Sequence, residues 1–353
     1  MESKSLCRRK VVIVGGGPAG VSTALNLSAL GIDDILVIEK YRFPRYKCCA
    51  GYITNKTKAA YERLGLDIEK CHYSLIKDFN IFYKGKKRLN VVNKFLYTNR
   101  MIDRVELDDR FFALLSEKGI VTLEGISVVG HEPKENKIAL SDGTTLYYDS
   151  LVFADGTTGF GSRYQTAKKR NIALQMTFAS DRAESIDIHF GVTKRGYAWV
   201  SSYGGVTNVG MTDVFVEKRN YKKIFEDFLR ARGFDVGIEN LTAAMTPMYA
   251  GAPVINGNVY FVGDAVGACD PLTLSGLRYG LATGEECAKS IALCNTKPYK
   301  KHVRGLKRKF GFMRFMQKAF YLKPALGLTF GVLCRFFGNM VSRIFNNFFV
   351  NKK

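Results

Sequence analysis

The sequence predicts an α/β protein: one parallel sheet assembled from three separated stretches of chain, an inserted antiparallel-sheet domain, and a helical C-terminal tail. Three observations point there. Apolar runs at 10–14, 151–153 and 258–262 each end in a glycine or an acid–glycine tip. Residues 172–216, between the last two, are rich in strand formers and aromatics. The net charge of +21 is unevenly spread, because residues 287–353 hold 15 Lys and Arg and no Asp or Glu. The sheet domain is assigned to 1–75, 100–165 and 252–296, the inserted domain to 76–99 and 166–251, and the basic tail to 297–353.

The first unit fixes the chemistry. A strand over 10–14 runs into Gly15-Gly16-Gly17-Pro18-Ala19-Gly20, a helical pattern follows through Val21, Ala24, Leu25, Leu27 and Leu30, and a second strand over 35–38 ends on Glu39. Glu39 lies 19 residues past Gly20, close to the roughly 20 expected of a Rossmann-like dinucleotide site. Gly15 makes the tight turn, Gly17 lets the backbone approach a pyrophosphate, and Gly20 lets helix and strand pack closely. The helix start, with Pro18 and Ala19, presents free N–H groups and a partial positive charge to the phosphates. Glu39 is expected to accept from both ribose hydroxyls. A 2′-phosphate there would set two anions together, which excludes NADP as the nucleotide held in this turn.

The bulk properties narrow the class. With 46% hydrophobic and 24% charged residues in 353, the chain can bury a large core. Its eight cysteines show no C-x-x-C spacing, which argues against a disulfide framework or a zinc site and for a reducing compartment. No apolar leader precedes the first strand, and no run of 18 uncharged apolar residues predicts a membrane span, so the expected location is the cytoplasm.

Along the chain, 42–54 (RFPRYKCCAGYIT) reads as a loop dense in reactive groups. Following the ribose acid, Lys40 and Arg45 are expected to face the cofactor, and Cys48 and Cys49 are either small buried residues or site thiols. Residues 79–98 read as a hairpin turning at Lys84-Gly85-Lys86, and Arg104 to Lys118 as a helix stopped by Gly119. The second tip is Asp155-Gly156. Tyr197 and Trp199, the only tryptophan, sit in the strand-rich region and suit the wall of an apolar pocket. Residues 221–232 form an amphipathic helix. The third tip is Gly263-Asp264, followed by Pro271, Ser275, Gly276 and Leu277 at the start of a long helix. One glycine turn with two later acid–glycine tips suits a long cofactor with several contact points. FAD fits: Asp264 would hold the ribityl or pyrophosphate end, and the helix from Gly276 would aim its positive end at the flavin ring.

Together, GGGPAG with Glu39, FADG at 153–156 and VGDAVGACDPLTLSGLRYGL at 262–281 resemble the FAD-dependent p-hydroxybenzoate-hydroxylase-like flavoproteins. Arg104-Val105-Glu106-Leu107-Asp108 is similar to that group's R-x-x-[LF]-D, in which the Arg helps hold FAD. Within the group, Tyr46, Cys48 and Gly51 match the Y-x-C-x-x-G of the geranylgeranyl reductase family, and Tyr197, Trp199 and Asn208-Val209-Gly210 match part of its Y-x-W segment. Ser201 and Ser202 replace that family's Phe-Pro, which implies a more polar pocket wall.

The resemblance implies NADPH or NADH as electron donor, and hydride transfer from flavin N5 to an alkene of an isoprenoid or similar lipophilic substrate. Cys48, Cys49, Tyr197 and Trp199 would then surround the reaction. The rival within the class is a monooxygenase or halogenase acting on an aromatic. The rival outside it is a non-catalytic, FAD-bound redox sensor. For the tail, one reading is a helical cap on the sheet, and another is a helix lying in the headgroups of an anionic membrane at its inner face. Nucleic acid is disfavoured, since no binding motif is present and long apolar stretches interrupt the charge.

Overall fold

The computed structural model describes residues 8–76, 78–90, 99–165, 170–247 and 254–321. A parallel sheet carries the order Val259–Phe261, Thr145–Phe153, Arg8–Val14, Ile35–Glu39, Val121–Glu124. Every pair along this path is parallel. Ile255–Asn256 lines the Val259–Phe261 edge, and Lys137–Leu140 and Val128–Glu132 extend Thr145–Phe153, all antiparallel. Val11, Val12, Ile13 and Val37 have no exposed surface, as expected of strands covered on both faces.

Six helices are described: α1 Pro18–Ala29, α2 Asn55–Arg63, α3 Arg104–Glu117, α4 Tyr221–Ala231, α5 Leu277–Ala292 and α6 Lys297–Phe320. Helix α1 begins with Pro18, whose missing N–H falls where a helix start has no partner. It packs on α5 and α3. The approach to α5 is close because the facing residues are small: a Cβ built on Gly284 would lie 2.6 Å from the Ala19 carbonyl oxygen. Ser22 Oγ then donates to the Leu281 carbonyl at 2.8 Å.

The second sheet has seven strands in the order Thr242–Pro247, Arg170–Ala179, Val206–Val214, Tyr197–Tyr203, Ser185–Phe190, Phe79–Tyr83, Lys86–Asn90. It departs from the all-antiparallel expectation at one place, since Phe79–Tyr83 runs parallel to Ser185–Phe190. The hairpin over 79–90 enters from a segment far back in the chain and lies against the edge strand in that direction. Residues 91–98 of the expected hairpin lie outside the described residues. Helix α4 buries Tyr221, Phe225, Phe228 and Leu229 against Ile172, Leu174, Val200 and Met211. Each of these side chains contributes roughly 1.5–3 kcal/mol.

Helix α2 and a small three-stranded sheet have no counterpart in the sequence pattern. Helix α2, capped by Thr54, covers one flank of α5, and a small sheet joins Tyr52–Ile53, Arg100–Ile102 and Tyr73–Leu75. Helix α6 buries Tyr299, Val303, Phe310 and Met313, so part of the tail does cap the core. Its outer side leaves Phe312 60% and Phe315 66% exposed. Residues 322–353 of the tail lie outside the described residues. Among the described residues, no helix is long and apolar enough to cross a membrane.

Candidate active site

The glycine turn is sterically dictated. Gly15 takes φ +109°, and a Cβ there would lie 2.5 Å from the Ala154 carbonyl oxygen. A Cβ on Gly20 would come within 1.9 Å of the Gly15 oxygen. Gly17 differs: it is the N-cap of α1 in ordinary extended geometry, and its Cβ would meet only Arg45 Nη2, at 3.5 Å. Space therefore remains above Gly17 for a ligand.

Glu39 is buried, and its carboxylate accepts from the amides of Gly16 at 2.8 Å and Tyr41 at 3.1 Å. Arg45 stands 3.9 Å from Glu39 and 3.9 Å from Asp108, with its guanidinium over the Phe43 ring. Asp108 in turn holds Arg104 by two bonds of 2.9 Å one turn apart on α3. The result is an alternating acid–arginine–acid–arginine row beside the turn. The i, i+4 spacing of Asp108 from Arg104 is the sequence signal that marks it as a partner. Lys40 is exposed and lies over the Tyr41 ring.

The other two tips converge here. Asp155 and Gly156 follow the strand that borders Gly15, and Asp155 Oδ2 accepts from the Gly161 amide at 2.7 Å. Burial raises its carboxyl pKa to about 6. At pH values below ~4 folded and unfolded states are both protonated; above that the unfolded chain releases its proton first, so stability falls as pH rises and levels off beyond about 6. Asp155→Asn is therefore expected to stabilise the apoprotein by ~2 kcal/mol at pH 8 and by nothing measurable at pH 4. Urea unfolding at both pH values tests this, and an equal change at the two would contradict it.

Gly263 turns at φ +60°, with a Cβ position 2.7 Å from Ala19 Cβ, which brings the third tip onto α1. Burial raises the Asp264 pKa against the pull of Lys47 and Arg104. Its carboxyl lies deep while part of the residue stays accessible. Gly276, the N-cap of α5 ahead of Leu277, lies against it, 3.3 Å from Oδ1 to a built Cβ. The Pro271 carbonyl accepts from Gln317 of α6 at 2.7 Å, and that of Ser275 from the Asp270 amide at 3.0 Å. Those two shape the loop that leads to α5.

The loop over 42–54 joins the two sheets. Gln175 Nε2 donates to the Tyr46 hydroxyl at 3.0 Å, and Tyr46 also pairs with Thr242 Oγ1 at 2.9 Å. Thr242 gives its own proton to the Gln175 carbonyl, so Tyr46 is the donor to Thr242. Gly51 at φ +80° is required because a Cβ would sit 2.0 Å from the Ile102 oxygen. Between these anchors, Cys48 and Cys49 are partly buried free thiols. Burial, reinforced by neighbouring Cys49, pushes the Cys48 pKa up to about 11.

Tyr197 donates to the Thr273 carbonyl at 2.7 Å, tying the second sheet to the loop before α5. Trp199 is buried, its ring 6.1 Å from that of Tyr197. Its indole N–H donates to Asn208 Oδ1 at 2.7 Å, and a Cβ on Gly210 would lie 2.0 Å from its ring. The Asn-Val-Gly triplet thus seats the tryptophan from the adjoining strand, one residue bonding it and the other making room.

The residues present fit FAD. The turn is open above Gly17, Glu39 is at its rim, and Arg45 Nε and Asp155 Oδ1 are buried without hydrogen-bond partners. Orphaned buried groups of this kind are expected where a polar ligand completes a site. Fold and site together define a flavin-dependent oxidoreductase. The chain belongs to the pyridine nucleotide-disulphide oxidoreductase family, whose sequence model matches residues 9–186. A menaquinone reductase of Mycolicibacterium smegmatis is 29% identical over 318 residues, covering 80% of this chain and 76% of that protein. A digeranylgeranylglycerophospholipid reductase of Methanococcus vannielii is 24% identical over 347 residues, covering 87% and 86%. A geranylgeranyl bacteriochlorophyll reductase-like protein of Thermoplasma acidophilum shares the fold at TM-score 0.74 and 18% identity, covering 89% of this chain and 88% of its own.

Proposed function

We propose that the protein reduces alkene bonds of an isoprenoid or other lipophilic substrate, with NADPH or NADH as electron source. FAD in the cradle would supply a two-electron carrier able to pass hydride to carbon. The observation that carries this reading is the loop over 42–54: Arg45 stands at the glycine turn, Tyr46 is bonded to the second sheet, and Cys48 keeps its proton. A thiol held protonated can give that proton to carbon as hydride arrives at the neighbouring atom. An isolated alkene is a poor hydride acceptor, so the aromatic wall of Tyr197 and Trp199 would serve to hold it and to keep water out. The relatives support the reading, since two are reductases and one is named for a geranylgeranyl lipid. The exposed Phe312 and Phe315 and the basic tail support attachment at an anionic membrane surface, where such a substrate resides.

The test is anaerobic. Reduced holoenzyme mixed with a polyprenyl lipid is expected to reoxidise its flavin with matching loss of alkene. Cys48→Ala should slow that step by ~100-fold with the flavin spectrum unchanged. Oxygen-dependent NADPH loss stimulated by an aromatic, with no anaerobic reoxidation, would point to hydroxylation instead.

A further inference from the structure

Ser201 and Ser202, which replace the Phe-Pro of the geranylgeranyl reductase family, point to opposite faces of the second sheet. Ser202 shares the α4 side with Ala198 and Val200, and its hydroxyl pairs with Thr207 Oγ1 at 2.8 Å. Ser201 shares the other side with Tyr197 and Trp199. It is 1% exposed, and its Oγ has no hydrogen-bond partner. Strand register sets Gln175, Gly210 and Trp199 in one row across the sheet, so Gln175 lies on the Ser201 face. It is 2% exposed, and its Oε1 is also without a partner. The orientation of that amide is fixed. Tyr46 gives its one proton to Thr242, so its oxygen accepts from Gln175 Nε2, which leaves Oε1 as the atom in need of a donor.

Gln175 and Ser201 stand two strands across and two residues along from one another, about 12 Å between Cα atoms. The Trp199 indole lies between them, over Gly210. The four strands from Thr242–Pro247 to Tyr197–Tyr203 put no charged residue on this face. Buried polar atoms without partners are destabilising until a ligand completes them. We propose that the substrate carries an uncharged, flat head group laid along the Trp199 indole, with a hydroxyl toward Gln175 Oε1 and a second oxygen toward Ser201 Oγ. The prenyl chain on that head group rests on the reductase reading above. A phosphate or carboxylate head would find no counter-charge on this wall, and a bare hydrocarbon would leave both atoms orphaned. The loop over 42–54 covers the seat: Tyr46 bonds Gln175, and Ala50 and Tyr52 pack on the cluster of Ile186, the strand neighbour of Ser201. The head group therefore enters with that loop raised, its hydroxyl reaching Gln175 beside Tyr46.

The test is anaerobic calorimetric titration of the oxidised, full-length holoenzyme with geranyl hydroquinone, geranylbenzene and geranyl phosphate. The wild type is expected to bind the hydroquinone at least ~10-fold more tightly than either of the others. Ser201→Ala should weaken the hydroquinone by ~10-fold and leave geranylbenzene unchanged. Its apoprotein should melt no lower than wild type, because the hydroxyl removed has no partner to lose. Ser202→Ala makes the same chemical change on the α4 side and should leave all three affinities as they are. The proposal is overturned if Ser201→Ala binds the hydroquinone like wild type, or if the two serine variants weaken it equally. It is also overturned if the wild type takes geranylbenzene or geranyl phosphate as tightly as the hydroquinone. Binding is read without turnover, so this result and the anaerobic reduction are separate. Hydroquinone that binds through Ser201 while no alkene is ever reduced would defeat the reductase reading and leave this seat standing.

Discussion

Replacing Gly17 by alanine is expected to weaken FAD binding by ~10- to 100-fold, about 1.4 kcal/mol per decade, while the apoprotein melts within about 2 °C of wild type. The backbone at Gly17, φ −74° and ψ 176°, suits any residue, and the added methyl would touch nothing but an arginine tip. Only an incoming ligand would feel it, because a pyrophosphate must approach this backbone more closely than a Cβ permits. Gly20→Ala, three residues on, acts differently. Its methyl would sit 1.9 Å from a main-chain oxygen that cannot step aside. Helix α1 would have to separate from the turn, at ~3 kcal/mol or more, and cofactor and stability would be lost together. Flavin fluorescence titration and thermal melts of the two apoproteins separate the cases. Wild-type affinity in Gly17→Ala, or a melt as low as that of Gly20→Ala, would refute the assignment.

Asp108→Ala is expected to cost ~3–5 kcal/mol of stability, since it leaves the Arg104 guanidinium buried without its counter-ion. Arg104 is 4% exposed and gives Asp108 two bonds of 2.9 Å, and Asp108 also faces Arg45. The double variant Arg104→Met/Asp108→Leu removes both charges at similar volume and should recover most of the loss. Urea denaturation of the three proteins provides the measurement. A single-variant cost below ~1 kcal/mol would mean that water reaches the pair and screens it.

What could be read from the sequence was what local sterics dictate. Gly15 and Gly20 belong to one turn, so their spacing already carries the constraint, and Glu39 follows from strand length. The core strands near 10–14, 35–38, 151–153 and 258–262 are continuous apolar runs, and the helices α1, α3, α4 and α5 carry apolar residues at helical spacing, so both lie near where the pattern puts them. What escaped depends on partners distant along the chain. Tyr46 was placed in a reactive loop, but Gln175 and Thr242, which anchor it, lie in another sheet. The role of Gly210 follows only from the register of two adjacent strands, which sets it under the Trp199 ring. Helix α2 is only nine residues long and mostly polar, and it packs against α5. The parallel direction of Phe79–Tyr83 reflects where the chain re-enters the sheet, and no local pattern encodes that.

The joining of α1 to α5 bears on how the protein is made. The glycine turn is complete within the first forty residues, yet its helix rests on Leu277–Ala292 and its sheet gains Val259–Phe261 last. A growing polypeptide leaving the ribosome therefore carries an apolar α1 face with no cover until most of the message has been translated. Vitamin-derived cofactor should be captured late, after release of this C-terminal helix from the exit tunnel. Premature termination ahead of Leu277 would give products that neither colour nor persist, which makes a yellow tint a simple sign that synthesis ran past that helix.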